Sequence, residues 1–276
     1  MTSNWDELSP QARNLAYNNV EHVGPDIARQ KTDEWSQISH DMRARYPNHL
    51  DLPYAGRERT KWDLYPAENP EAPCMVHIHG GYWQRGSKEI FACLTQGLQA
   101  HGWSAALPGY SLAPGATLTE IVVELRQALS WLEQNAASHG IRGPVILTGW
   151  SAGGHLTSLL LDHPVCHAGL AISGVFDLAH LRDSPHVNDK LNLTENEVRS
   201  LSPMRLPMAE KPLTVSYGGA ELPAMIKSSR QYQRRRSEAQ LWGDLVPIPG
   251  ANHFTILDQL RDPESHLVKS VLALAA

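Results

Sequence analysis

The sequence predicts an α/β fold: a mostly parallel central sheet with helices on both faces and a helical extension ahead of it. Three observations carry this. From about residue 70 onward, short apolar runs alternate with longer segments of helical pattern, the strand–helix–strand rhythm of a parallel sheet covered on both sides. In "TLTEIVVELRQALSWLEQNAASHG", Ile121, Leu125, Ala128, Leu129 and Leu132 recur at helical spacing and Gly140 supplies a stop. The chain has 276 residues, 42% of them hydrophobic and 19% charged, an ordinary globular mix long enough to bury several layers.

Residues 1–50 are polar and rich in Trp, Tyr and Asn, and read as helical without forming a domain. "RTKWDLYPA" is a candidate edge strand. "CMVHIHGG" (74–81) is the next strand, and a helical pattern runs through "KEIFACLTQGLQAHG" to the strand "WSAALPGY" (103–110). After the long helix come the strand "PVILTGW" and the helix "SAGGHLTSLLLDH". Further strands are "HAGLAISGV" (167–175), "PLTVSYGG" (212–219) and "LVPIPG" (245–250), and "SHLVKSVLALAA" is the last helix. Residues 177–211 interrupt the rhythm as a polar, proline-punctuated insertion, and an insertion of that length is more often functional than idle. Phe176, Asp177 and His180 at its start are candidates to border a binding site. Residues 1–276 are read as one domain.

Composition also excludes partners. The formal net charge is −5 with basic residues scattered, which gives no footprint for nucleic acid. The densest basic run, Arg234-Arg235-Arg236, reads as the solvated face of an amphipathic helix. Three cysteines, Cys74, Cys93 and Cys166, with no C-x-x-C spacing, imply buried thiols rather than a disulfide framework or zinc knuckle. The N-terminal stretch lacks the apolar core of a signal peptide, and no run approaches the ~18 apolar residues of a membrane helix. The expectation is a soluble, cytoplasmic protein acting on a small molecule, with a homo-oligomer through the helical N-terminus left open.

The chemistry is concentrated in "ILTGWSAGGHL" (146–156). Gly149 and Gly153 stand two residues either side of Ser151, giving G-x-S-x-G between a strand and a helix. A sharp turn there needs small neighbours, lifts the serine hydroxyl above the sheet edge, and leaves the Ala152 amide free at a helix N-terminus. "HIHGGYW" (77–83) brings the amides of Gly81 and Tyr82 to the end of a neighbouring strand, where with Ala152 they can form an oxyanion hole. His77 and His79, two apart on a strand, share a face and carry a rival metal-ligand reading, although no third ligand falls at a supporting spacing. A base and an acid must follow the serine. His253 lies on the loop after the last strand, and Glu221 follows the end of the preceding one, ahead of Asp177, Asp183, Asp189 and Asp244 as competitors. Trp83, Trp150 and Tyr110 adjoin these elements in sequence and are candidate contacts for an aromatic substrate.

These residues carry a resemblance. "HGG" with the serine elbow and "PGYSLAPG" resembles the α/β-hydrolase superfamily, on its hormone-sensitive-lipase-like side. "HIHGGYWQRGSKEIF", "GWSAGGHL", the "ELP" of "YGGAELPAM", "GANHFTILDQL", the early "YNN" and "LPYAGRERTKWDLYPA" together resemble the serine-dependent kynurenine formamidases. The resemblance implies an α/β-hydrolase fold and hydrolysis of an N-formyl aryl amide or a small ester, without metal or cofactor. It implies Ser151 as nucleophile, His253 as base, Glu221 as acid, and Gly81, Tyr82 and Ala152 as oxyanion donors. The acid is the departure, since the animal enzymes are expected to carry aspartate there. Two other readings stand beside it: a carboxylesterase or thioesterase for another small acyl compound, and a non-catalytic binding protein on the same fold.

Overall fold

The computed structural model describes residues 8–275. The chain enters through three helices, α1 (Pro10–Ala16), α2 (Asn19–Val23) and α3 (Pro25–Arg43). Their starts are set locally. The side chains of Ser9 and Asn18 accept from the amides of Ala12 and Glu21, and Pro25 opens α3 where its missing N–H is no loss. On α3 the buried residues are Ala28, Trp35, Ser39 and Met42, a stripe that faces inward. At its end Arg43 donates to Asp63, a carboxylate with no exposure that Lys88 also contacts, at 2.8 Å and 2.6 Å. A buried carboxylate is tolerable only when so paired, and the pairing anchors the N-terminal helices to the sheet.

Two strands follow, β1 (Leu52–Pro53) and β2 (Lys61–Tyr65), and then β3 (Cys74–Ile78). The helical pattern expected over 88–102 is broken into α4 (Lys88–Phe91), a 3-10 turn (Ala92–Thr95) and α5 (Gln96–Gln99). β4 (Ser104–Pro108), α6 (Leu118–Asn135), β5 (Val145–Trp150), α7 (Ala152–Leu160) and β6 (Cys166–Ile172) then alternate. The 177–211 insertion folds into α8 (Ala179–Arg182), α9 (Pro185–Leu191) and α10 (Glu195–Leu201). The chain continues through β7 (Leu213–Gly218), α11 (Pro223–Glu238), β8 (Leu245–Ile248) and α12 (His266–Ala273).

The sheet order is β1-β2-β4-β3-β5-β6-β7-β8. β2 is antiparallel to both β1 and β4, and every pairing from β4 to β8 is parallel. The strand at 61–65 is therefore one place in from the edge, which short β1 occupies. Every residue of β3, β4, β5 and β7 is buried, as expected when helices cover both faces. Alternation divides the core. Cys74, Val76 and Ile78 face α6 and α7 through Leu125, Leu129, Leu156 and Leu160. Met75 and Ile146 face the opposite layer, where Trp35, Leu98, Leu267 and Val271 pack.

The parallel strands of this sheet share a direction, so their carboxyl ends, and the loops that follow them, gather on one edge. The three cysteines are free and buried, and burial alone pushes the Cys74 thiol up to about 12. The arginine run differs from expectation. Only Arg234 is solvated, paired with Glu238, whereas Arg235 donates to the carbonyls of Pro203 and Leu206 and fully buried Arg236 to those of Ala209 and Lys211. The insertion leaves these carbonyls without strand partners where it rejoins the sheet, and guanidinium groups supply the donors.

Candidate active site

Between β5 and α7, Ser151 adopts φ 57° and ψ −116°, a left-handed conformation that an ordinary serine avoids. The neighbours permit nothing larger than glycine. A Cβ on Gly149 would lie 2.3 Å from the Gly153 carbonyl oxygen, and one on Gly153 would lie 2.0 Å from that of Ile78. The turn is held by the Ser151 amide, which donates to Ile172 on the adjacent strand at 2.8 Å. Ala152 is the first residue of α7, so its amide has no intrahelical acceptor.

Glu221 and His253 meet on the loops that follow β7 and β8. Glu221 Oε2 lies 3.1 Å from His253 Nδ1, and its other oxygen accepts from Ser173 Oγ at 2.5 Å and from the Gly218 amide at 2.7 Å. The carboxylate has no exposure. A proton on Nδ1 directed at Glu221 leaves Nε2 as an acceptor, the tautomer a general base needs. The competing aspartates are elsewhere: Asp177 pairs with Arg205, Asp183 with Arg182, and Asp189 and Asp244 are exposed.

The loop after β3 runs close by. Tyr82 and Trp83 both take positive φ, 54° and 56°, and follow Gly81 at 115°. The Gly81 carbonyl accepts from the amides of Gln84 and Arg85, which closes the turn. The Tyr82 hydroxyl is engaged by the N-terminal segment: it donates to the Tyr17 carbonyl and accepts from Asn19 Nδ2 at 2.8 Å. His22 Nε2 donates to the Ala220 carbonyl at 3.1 Å, so the same segment also touches the loop that carries Glu221.

Ser151, His253, Gly81 and Tyr82 all line one cavity of about 450 Å³. Its depth is aromatic, built by buried Trp35, Phe91, Trp150 and Phe254, and its rim carries exposed Arg29, Asp33 and Arg85. Trp150 also holds the His253 segment, its indole N–H donating to the His253 carbonyl at 2.8 Å with the two rings 4.9 Å apart.

Several expectations are corrected here. Trp83 and Tyr110 do not line this cavity. Trp83 is fully buried with its ring edge-on to His155, and Tyr110 stacks 4.2 Å from His79 and donates to the His79 carbonyl. The insertion contributes no lining residue either. Phe176 is buried against Tyr232, and the Gln84 side chain donates to the Val187 carbonyl, so the insertion buttresses the glycine loop from outside. The N-terminal helices take the place assigned to it. His77 and His79 do not converge as ligands: His77 Nδ1 lies against Thr148 Oγ1 at 2.9 Å, and His79 Nδ1 donates to the Gly80 carbonyl at 2.8 Å. Burial depresses both rings, to about 3 and about 4, so both are neutral.

Residues 62–162 match the BD-FAE family. Across 99% of this chain and 98% of the relative, the sequence is 27% identical to the kynurenine formamidase of Danio rerio. A provisionally assigned thioesterase from Silicibacter sp. TM1040 is 30% identical and superimposes with a TM-score of 0.82, over 94% of this chain and 98% of that one. The chain belongs to the α/β-hydrolase superfamily. Esterase B from Lactobacillus rhamnosis has the same fold at a TM-score of 0.71 and 19% identity. Within the superfamily this α/β-hydrolase is formamidase- and esterase-like. Residues that sequence reasoning passed over are Ser173, Asn19 and Trp35. The early "YNN" gave a signal for Asn19, but nothing local to Ser173 or Trp35 separates them from core residues.

Proposed function

We propose that this α/β-hydrolase is a serine hydrolase that cleaves a small aryl formamide of the N-formylkynurenine kind, or a small aryl ester, through an acyl-enzyme on Ser151. One observation carries the reading: Ser151 and the Glu221-bound His253 open into the same aromatic cavity as the glycine loop. His253 Nε2 takes the Ser151 hydroxyl proton as Oγ bonds to the substrate carbonyl carbon, and the carbonyl π pair moves to oxygen. The amides of Gly81, Tyr82 and Ala152 are the donors for that oxyanion. On its collapse the C–N or C–O bond breaks, and His253 passes its proton to the departing amine or alcohol. Water then enters, loses a proton to His253, and attacks the acyl carbon, returning Ser151 to its hydroxyl form.

The cavity supports an aromatic leaving group, because four aromatic side chains form its depth and a formyl group would fill little of about 450 Å³. A second reading, a thioesterase or carboxylesterase, is favoured by the 30% identity to the Silicibacter protein and uses the same steps. A non-catalytic binder has no use for a buried acid–base pair beside a strained serine. The cytoplasm as its setting is part of this proposal, and three free cysteines fit a reducing compartment. Among the described residues, no helix is long and apolar enough to cross a membrane.

The test is a rate comparison between N-formylkynurenine and p-nitrophenyl acetate with EDTA present. A kcat/KM for the formamide of about 10⁴ M⁻¹s⁻¹ or more is expected. Ester turnover with negligible formamide cleavage would discard the formamidase assignment and keep the esterase.

A further inference from the structure

Tyr82 is held by its side chain rather than by its backbone. It takes a left-handed conformation, φ 54°, that a bulky residue avoids, and its N–H and C=O make no backbone hydrogen bond among the described residues. Its neighbour Trp83, at φ 56°, is secured otherwise, by complete burial and by a carbonyl that accepts from the Ala113 amide at 2.8 Å. The Gly81 amide also has no acceptor among the described residues, so two adjacent N–H groups are left free on a loop that lines the cavity with Ser151. What fixes Tyr82 is its hydroxyl. The single hydroxyl proton goes to the Tyr17 carbonyl, so the oxygen accepts from Asn19 Nδ2, at 2.8 Å. Residues 14–22 are themselves tied at both ends. Asn14 Oδ1 accepts from Ser184 Oγ and the His186 amide, each at 3.1 Å, and His22 Nε2 donates to the Ala220 carbonyl at 3.1 Å.

We propose that residues 14–22 form a clasp that makes the Tyr82 side chain a positioning group: by gripping its hydroxyl, the Tyr17 carbonyl and Asn19 Nδ2 keep the free amides of Gly81 and Tyr82 aimed at a tetrahedral oxyanion. The inference rests on the reading of those amides as oxyanion donors. Release of the side chain lets φ relax out of the left-handed region, and the peptide that carries the Tyr82 N–H turns with it. A donor is worth most to the oxyanion when it is already aimed, because nothing is then spent on turning it as charge develops. The planar carbonyl of a bound ground-state ligand gains little from the same aim, so the clasp acts on kcat and leaves KM.

The experiment measures inhibition of p-nitrophenyl acetate hydrolysis, in the full-length protein, by 2,2,2-trifluoroacetophenone and by acetophenone. With the first, Ser151 Oγ bonds to the activated carbonyl carbon, the π pair moves to oxygen and His253 takes the serine proton, which leaves a tetrahedral oxyanion; the second stays planar. The unaltered protein should bind the trifluoro ketone about a hundredfold tighter or more. Equal affinities, or no ester hydrolysis at all, would overturn the catalytic reading and the clasp with it. Tyr82→Phe removes only the hydroxyl. It should cut both that preference and kcat about tenfold, the worth of one neutral hydrogen bond, with KM and acetophenone affinity held within about twofold. A hydroxyl that served stability alone would lower Tm and leave the preference unchanged, and that result would overturn the clasp while the catalytic reading stands. Because Asn19 acts through the hydroxyl, Asn19→Ala should move both numbers the same way by a smaller factor, and adding it to Tyr82→Phe should cost nothing further. Losses that add independently would overturn the proposed route. If Tyr82→Phe fails to fold, an unchanged preference in Asn19→Ala overturns the proposal by itself.

Discussion

Replacing Glu221 by glutamine tests the buried acid more sharply than removing it. Glu221 Oε1 accepts from the Ser173 hydroxyl and the Gly218 amide, while Oε2 faces His253. The Gly218 N–H cannot rotate away or become an acceptor, so glutamine must keep its carbonyl oxygen at the Oε1 position. Its NH₂ then faces His253 Nδ1. The imidazole can meet a donor only by moving its own proton to Nε2, where it blocks removal of the Ser151 proton. Geometry is preserved and the tautomer is wrong, a change that costs up to about 10⁴-fold in a related arrangement. Glu221→Gln should therefore lower kcat by a hundredfold or more, about 3–5 kcal/mol at the transition state. The assay is steady-state hydrolysis of p-nitrophenyl acetate, with circular dichroism to confirm folding. A loss of less than about tenfold in a folded protein would refute the pairing logic.

Ser151→Ala should leave folding intact and abolish turnover and labelling by a fluorophosphonate; activity within about tenfold of the unaltered enzyme would remove Ser151 as nucleophile. Trp150→Phe loses the 2.8 Å bond to the His253 carbonyl and should lower kcat by about tenfold with less effect on KM, measured on the same ester. Stability should fall with acid below neutrality. His77, His79 and His155 have folded pKa values depressed by burial to about 3, about 4 and about 4, so between those values and about 6.5 the unfolded chain binds more protons. Urea titrations at pH 7 and pH 5 should show the lower midpoint at pH 5, and His155→Gln should flatten the dependence; a rise in stability toward pH 5 would contradict it.

The fold was legible in the sequence, and so was the juxtaposition of the candidate reacting groups, because each leaves a local mark. Strands buried on both faces read as continuous apolar runs, and the elbow at Ser151 demands glycine at 149 and 153 by contact. Order along the chain proposed Glu221 and His253 as partners, and their side chains do meet. Pocket walls leave no such mark. Trp83 and Trp150 are equally close in sequence to reactive turns, yet only Trp150 lines the cavity. Trp150 closes a strand, whereas Trp83 sits in a turn of successive positive-φ residues, so proximity in sequence does not give direction. Length also misled at 177–211, where helices pack on the glycine loop rather than over the serine. The helical pattern of residues 25–43 showed an inward face without saying what it would meet. Arg236 was indistinguishable from Arg234 until the carbonyls it serves were assembled.

The meeting of Trp35 with Phe254, stacked with ring centroids 6.4 Å apart, has a cost during synthesis. Phe254 leaves the ribosome roughly 220 residues after Trp35, an interval of about 11–44 s at ordinary elongation rates. For that time α3 has made its helix but lacks the late-arriving half of its apolar counterpart. Contacts this distant along the chain are slow to close and leave apolar surface open to wrong partners. Overproduction at high temperature should therefore drive the nascent chain into inclusion bodies sooner than the stability of the finished molecule would indicate, and slower synthesis in the cold should recover it.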